Sequence, residues 1–212
     1  MSDYRLMADV PVCVTPSGAY HAATAREDDA ARRVLFGILS QPRTPVLTLP
    51  ALVGWAGLGE EDALALLHRM QFLGWIAAEP VARDVPSVHM DEDMPALLSR
   101  MSARKRAMLA DVEGFQLASS GFTHEAAEQL AALAAELTAV HQRYHGLVHG
   151  NLRLNAGGIA LVDAAGHGQV CVWPLTLGSH SFLLIVAGVP LLHGRAFADA
   201  IWGLAHRYAT PA

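Results

Sequence analysis

The sequence predicts an α+β protein with two folded parts, and three observations predict it. Residues 27–79 carry three short runs of apolar residues at helical spacing, closed by a glycine turn and a strand-like run. Residues 80–93 hold Pro80, Pro86 and the acidic run Asp91-Glu92-Asp93 without a periodic apolar face, which marks a linker. From residue 94 onward, short strand-like runs alternate with helical patterns. At 212 residues the chain has room for one large domain or two small ones. It is 52% hydrophobic and only 17% charged, with mean hydropathy +0.28, which excludes a disordered chain. The most apolar run, 182–192, contains Pro190 and is far shorter than the roughly 20 apolar residues of a spanning helix. The apolar surface is therefore expected to be buried within the chain or against partners. The first eight residues contain Asp3 and Arg5 and no long apolar run, so no secretory signal is expected. Cys13 and Cys171 form no CxxC pattern and read as two thiols of an intracellular protein. A cytoplasmic location is the expectation.

The elements follow in order. Residues 1–26 form an N-terminal arm, with a weakly alternating run at 10–15 and a turn at Pro16-Ser17-Gly18; hairpin and flexible tail both fit. Asp28 and Asp29 cap a first helix through Leu39, with Val34, Leu35, Ile38 and Leu39 on one face. A second follows Thr48, with Pro50 in its first turn and Gly57-Leu58-Gly59 as its break. A third opens on Glu60-Glu61-Asp62, where acidic side chains complement the helix dipole, and ends at Gly74. Residues 75–78 read as a strand. In the second part, 95–102 suits a short helix, and 105–111 with 115–119 a hairpin around Val112-Glu113-Gly114. Thr123 caps a long helix expected to run from His124 to about His145. Leu130, Leu133, Leu137, Val140 and Tyr144 recur along it at spacings of three and four. Runs at 151–155, 158–163, 169–175 and 181–187 are strand-like, and a last helix is expected over about 195–208. No repeat of fixed period is present.

Residues 48–75, ending His68-Arg69-Met70-Gln71-Phe72-Leu73-Gly74-Trp75, resemble bacterial winged helix-turn-helix domains, so 27–79 is expected to be winged-helix-like. A second resemblance covers 94–212. The run Ala107-Met-Leu-Ala-Asp-Val-Glu-Gly-Phe-Gln-Leu-Ala-Ser-Ser-Gly121, the Ala-rich helix after it, and the later strands resemble the roadblock/LC7 family. That resemblance implies a five-stranded antiparallel sheet flanked by helices. It also implies dimers joined sheet to sheet and long helix to long helix, and a scaffold or regulator of small GTPases, motors or bacterial motility and polarity. The long helix, with Leu130, Leu133, Leu137, Val140 and Tyr144, becomes the subunit-facing element. The family lends no catalytic motif.

Other chemistry finds little support. Ala156-Gly157-Gly158 and Gly166-His167-Gly168 are hairpin glycines, since a phosphate loop needs a G-K-[ST] ending and Lys105 is the sole lysine. His141, His145 and His149 would share a face if the helix continued, but Gly146 and Gly150 predict that it stops near His145. Solvated histidines, and no metal site, are expected. There is no G-x-S-x-G elbow, so neither enzyme nor cofactor is expected. The third helix opens on three acids, and 27–79 holds four Arg against seven Asp and Glu, which disfavours DNA in a major-groove reader. The cluster Arg104-Lys105-Arg106 lies at a strand start instead. The four tryptophans read as core or interface anchors. The sequence thus points to a non-enzymatic, homodimeric adaptor that binds protein partners, a small GTPase among the implied classes. The rival is a DNA-binding regulator dimerised through its C-terminal part.

Overall fold

The computed structural model describes residues 4–7, 9–25, 28–154 and 157–208. The chain divides into two compact units. One comprises Met1–Ser87, Leu177–Ser179 and Phe197–Ala212; the other comprises Val88–Thr176 and His180–Ala196.

In the first unit, β1 (Val12–Val14) is followed by α1 (Pro16–Thr24), α2 (Ala30–Leu39), α3 (Leu49–Ala56), α4 (Glu60–Phe72) and β2 (Ile76–Ala78). The three expected helices and the strand form where their signals lie. Asp29 and Thr48 accept hydrogen bonds from Arg32 N and Ala51 N as N-caps, and Gly74 takes φ +67° after α4. Glu27, the expected start of this part, lies outside the described residues. The turn expected at Pro16 is instead the first turn of α1. Thr15 caps it, Pro16 suits the first helical position, and Thr15 and Ser17 hydroxyls donate to Gly74 O at 2.5 and 2.8 Å. Residues 12–24 of the arm are thereby fixed, because β1 pairs antiparallel with β2, Val14 opposite Ile76. Residues 80–87 also fold onto this unit rather than hanging as a linker: Thr44 N donates to Arg83 O and Val85 N to Pro42 O, both at 2.8 Å.

The core of this unit buries Val34, Leu35, Ile38, Leu52, Leu67, Met70 and Ile76. Gly37 of α2 lies flat beneath the Trp55 ring, where a Cβ would collide with the indole. The last helix, α7 (Arg195–Tyr208), contributes Phe197 onward to this unit, although its sequence position groups it with 94–212. The reason is specific bonding. Trp202 Nε1 donates to Gln41 O at 3.0 Å, and Asp199 pairs with Arg83 at 3.2 Å.

The second unit opens with α5 (Met94–Ser99), then β3 (Arg106–Asp111), β4 (Gln116–Ser120), α6 (His124–Arg143), β5 (Ile159–Val162), β6 (Gly168–Leu177) and β7 (His180–Ala187). The strands form one five-stranded sheet in the order β4-β3-β7-β6-β5. β3 is antiparallel to β4 and β7, and β5 to β6. Gly178-Ser179 joins β6 to β7 as a two-residue hairpin turn, with Gly178 at φ +63°. The strand-like reading of 151–155 fails. Residues 146–151 are a π turn that continues the winding of α6, and Asn155 and Ala156 lie outside the described residues.

The apolar run at 182–192 is mostly β7, a central strand. Phe182 through Ala187 are all buried, so successive side chains on both sheet faces are covered. Met108, Ala110, Leu183 and Ile185 meet α6, whose inward face is Ala127, Ala131 and Ala134. Small residues let the helix sit close to the sheet. Among the described residues, no helix is long and apolar enough to cross a membrane.

Candidate interaction surface

The second unit leaves two adjoining apolar features uncovered. The first runs along α6. With Ala127, Ala131, Ala134 and Thr138 buried, the five predicted positions fall about 70–150° around the helix from the centre of that buried face at 100° per residue. Leu130 is half-buried beside the core and Leu137 is half-buried. Leu133 (38%), Val140 (49%) and Tyr144 (53%) are exposed, and Leu147 (48%) extends the same spacing beyond the helix. All five predicted residues therefore share one stripe, which flanks the core face rather than forming it. Gly114 of the β3–β4 hairpin approaches the backbone of Ala132, on the opposite flank of α6.

The second feature is the free edge of the sheet. β5 pairs with β6 on one side only, and α6 lies against it. Its Leu161 is 41% exposed and its Val162 60%. β4, at the other edge, packs against α5. An apolar edge strand with unpaired N–H and C=O groups is a template for another strand. Sequence reasoning singled out the α6 stripe but not the β5 edge. The available signal was the alternation in Ile159-Ala160-Leu161-Val162, too short to rank one strand as the edge.

The π turn after α6 brings the three histidines together after all. His145 and His149 stack at 4.3 Å between ring centroids, and His141 meets His149 edge-on at 5.9 Å. α6 ends at Arg143, close to the expected stop near His145, and Gly146–Asn151 wind on as a separate π turn. Stacked rings do not converge their nitrogens on one point, and among the described residues no group of three ligands could hold a metal ion. Two of the sheet's three hairpin turns are built by an aspartate. Asp111 Oδ1 accepts from Glu113 N and Phe115 N, and Asp163 Oδ1 accepts from Ala165 N and His167 N, all at 2.8–3.0 Å. Gly114 and Gly166 close these turns at φ +93° and +82°. The Gly166-His167-Gly168 cluster thus serves a turn, and Ala156 of the other cluster lies outside the described residues.

In the first unit, the acids Glu60, Glu61 and Asp62 are exposed on the first turn of α4, whose Gly59 cap offers no side chain. Their negative charge compensates the open N–H groups there. A small cavity lined by Cys13, Thr44, Arg83, Asp199 and Trp202 has room for about one water molecule. Arg83 within it is bonded to Glu79 and Asp199, both at 3.2 Å, and faces the Trp202 ring. Neither Cys13 nor Cys171 is in a disulfide, and burial pushes the Cys171 thiol up. Burial likewise pulls Arg32 down, opposed by Asp28 and Asp29. Its Nε donates to Ala22 O at 2.9 Å, a bond that ties α1 to α2.

No family model matches the chain, and no curated protein matches it. Solved structures do. A roadblock/LC7 domain from Streptomyces avermitilis aligns at 19% identity over 55% of this chain and 90% of its own, with a TM-score of 0.36. The gliding protein MglB of Thermus thermophilus aligns at 23% identity over 55% and 87%, TM-score 0.37. MglB of Myxococcus xanthus aligns at 17% identity over 56% and 96%, TM-score 0.38.

Proposed function

We propose that the chain is a non-enzymatic adaptor that works as a homodimer and binds protein partners. One observation carries the reading: a stripe of apolar side chains at alternating spacings of three and four lies beside an unpaired, apolar sheet edge. The resemblance of 94–212 to roadblock/LC7 domains supports it, because that family joins its sheets edge to edge and packs its long helices together. In this reading a twofold axis pairs β5 with β5 and lays Leu133, Val140, Tyr144 and Leu147 against their copies. Full burial of such a side chain is worth about 1.5–3 kcal/mol, so half-exposed residues on two chains supply several kcal/mol before the cost of association. The first unit, winged-helix-like in its α2-α3-α4-β2 order, serves as a second protein-binding module. The exposed acids that open α4 favour a protein there over DNA. A small GTPase is the partner class the resemblance suggests. Light scattering at micromolar concentration tests the dimer: a mass of twice the chain is expected, and a strictly monomeric protein contradicts it.

A further inference from the structure

Residues 100–106 place Arg100, Arg104, Lys105 and Arg106 within seven positions, and no Asp or Glu occurs from 94 to 110. All four are exposed, and among the described residues none makes an ion pair. The cluster sits where β3 begins, at the end of the sheet opposite the Val112–Gly114 turn.

Its backbone is held in place. Ser102 is 2% exposed; its hydroxyl donates to Ala187 O at 2.7 Å and accepts from Arg104 N at 3.0 Å. Ala103 N donates to Val189 O at 3.0 Å and Lys105 N to Ser102 O at 2.9 Å. Lys105 takes φ +56°, a left-handed conformation that costs a non-glycine residue energy and turns the chain sharply between the two arginines. Two glycines make room for the arginine stems. A Cβ on Gly188 would come within 2.9 Å of Arg104 Cγ and Cδ, and one on Gly121 within 2.9 Å of Arg106 Cγ. Stems packed on backbone lose less freedom on binding, so the guanidinium groups are partly preorganised.

We propose that this ridge docks an acidic segment of a partner protein. Charge and shape favour that class over a polyanion. At a net −5 the chain lacks the extended positive field that captures long nucleic acid or an anionic bilayer, so only local contacts at the ridge remain. Four cations on one turn also fall short of the six to ten phosphate contacts, roughly, of a groove-tracking protein. A short carboxylate-rich segment needs only local complementarity, and two guanidinium forks supply paired donors for carboxylates. The proposal rests on the adaptor reading but not on the dimer seam.

The test is fluorescence anisotropy of a labelled Asp/Glu decapeptide titrated with the full chain at 50 and 150 mM NaCl. The parallel probes are its Asn/Gln counterpart, a 24-base-pair DNA duplex and vesicles with 30% phosphatidylserine. Binding of the acidic peptide alone is expected. It should weaken at least tenfold in Arg104→Gln/Arg106→Gln and stay unchanged in the distant control Arg69→Gln. Circular dichroism melts of each variant exclude unfolding, and Arg104→Lys/Arg106→Lys, which keeps the charge, should retain partial binding. No binding of the acidic peptide at 50 mM salt overturns the proposal. So does tighter binding of DNA or vesicles, or an equal loss in the Arg69 control. A dimer that ignores the peptide sinks the ridge and spares the seam; a monomer that binds it does the reverse.

Discussion

Gly37 and Trp55 show how one absent methyl group fixes a helix pair. The indole occupies the space where a Cβ would stand, so α2 and α3 approach through that position. Gly37→Ala should lower stability by about 1–3 kcal/mol, read in urea unfolding, because the ring must leave a good rotamer. The local gain in helix propensity does not offset that. Thr138 predicts the opposite sign. Among the described residues its hydroxyl, buried in α6, finds no partner, a standing cost of about 1–3 kcal/mol. Thr138→Val keeps the shape and removes the orphaned group, so it should raise stability by about 1 kcal/mol; a lower unfolding midpoint would contradict this. Cys171 is the third case. Its thiol sits above its ordinary value through burial, so less thiolate is present at any pH below that value. Alkylation at pH 8 should therefore label the half-buried Cys13 before Cys171, read by peptide mass mapping.

At the scale of elements, the aspartate turns carry two of the sheet's three hairpins. Asp111→Ala removes two backbone acceptor bonds at the β3–β4 turn and should cost about 1–2 kcal/mol, while Asp111→Asn keeps the acceptor and should cost less. Elements of this kind were legible in the sequence because their signals are local. Thr48, Thr123 and Asp29 are caps, Gly74 ends a helix, and each strand of the second unit lies within a few residues of its apolar run. Two elements were not legible. α1 was hidden because Pro16-Ser17-Gly18 spells a turn as well as a first helical turn, and the deciding bonds come from Thr15 and Ser17 to Gly74, far along the chain. The π turn was hidden because Gly146 and Gly150 mark the end of α6, which does stop at Arg143, and no local pattern signals the separate π winding of 146–151 after it.

For the whole molecule, the allocation of chain to units depends on contacts that no local pattern encodes. α7 has the spacing of an amphipathic helix wherever it docks. Trp202 on Gln41 and Asp199 on Arg83 assign its residues from Phe197 on to the first unit. The candidate surface was half legible for the same reason. The spacing of Leu130, Leu133, Leu137, Val140 and Tyr144 was plain, but an apolar stripe alone does not distinguish core from seam. The alanine face beside it does, since Ala127, Ala131 and Ala134 fill the core and leave the larger side chains outward. The high hydrophobic content then has a physical explanation in two buried cores and one uncovered stripe. Sedimentation velocity of the wild type beside Leu133→Asp/Val140→Asp tests the central claim most directly. The wild type should sediment at twice the 22.6 kDa chain mass, and the variant at the single-chain mass with an unchanged far-ultraviolet circular dichroism spectrum. A wild-type monomer, or a variant that remains dimeric, would contradict the seam on α6 and β5.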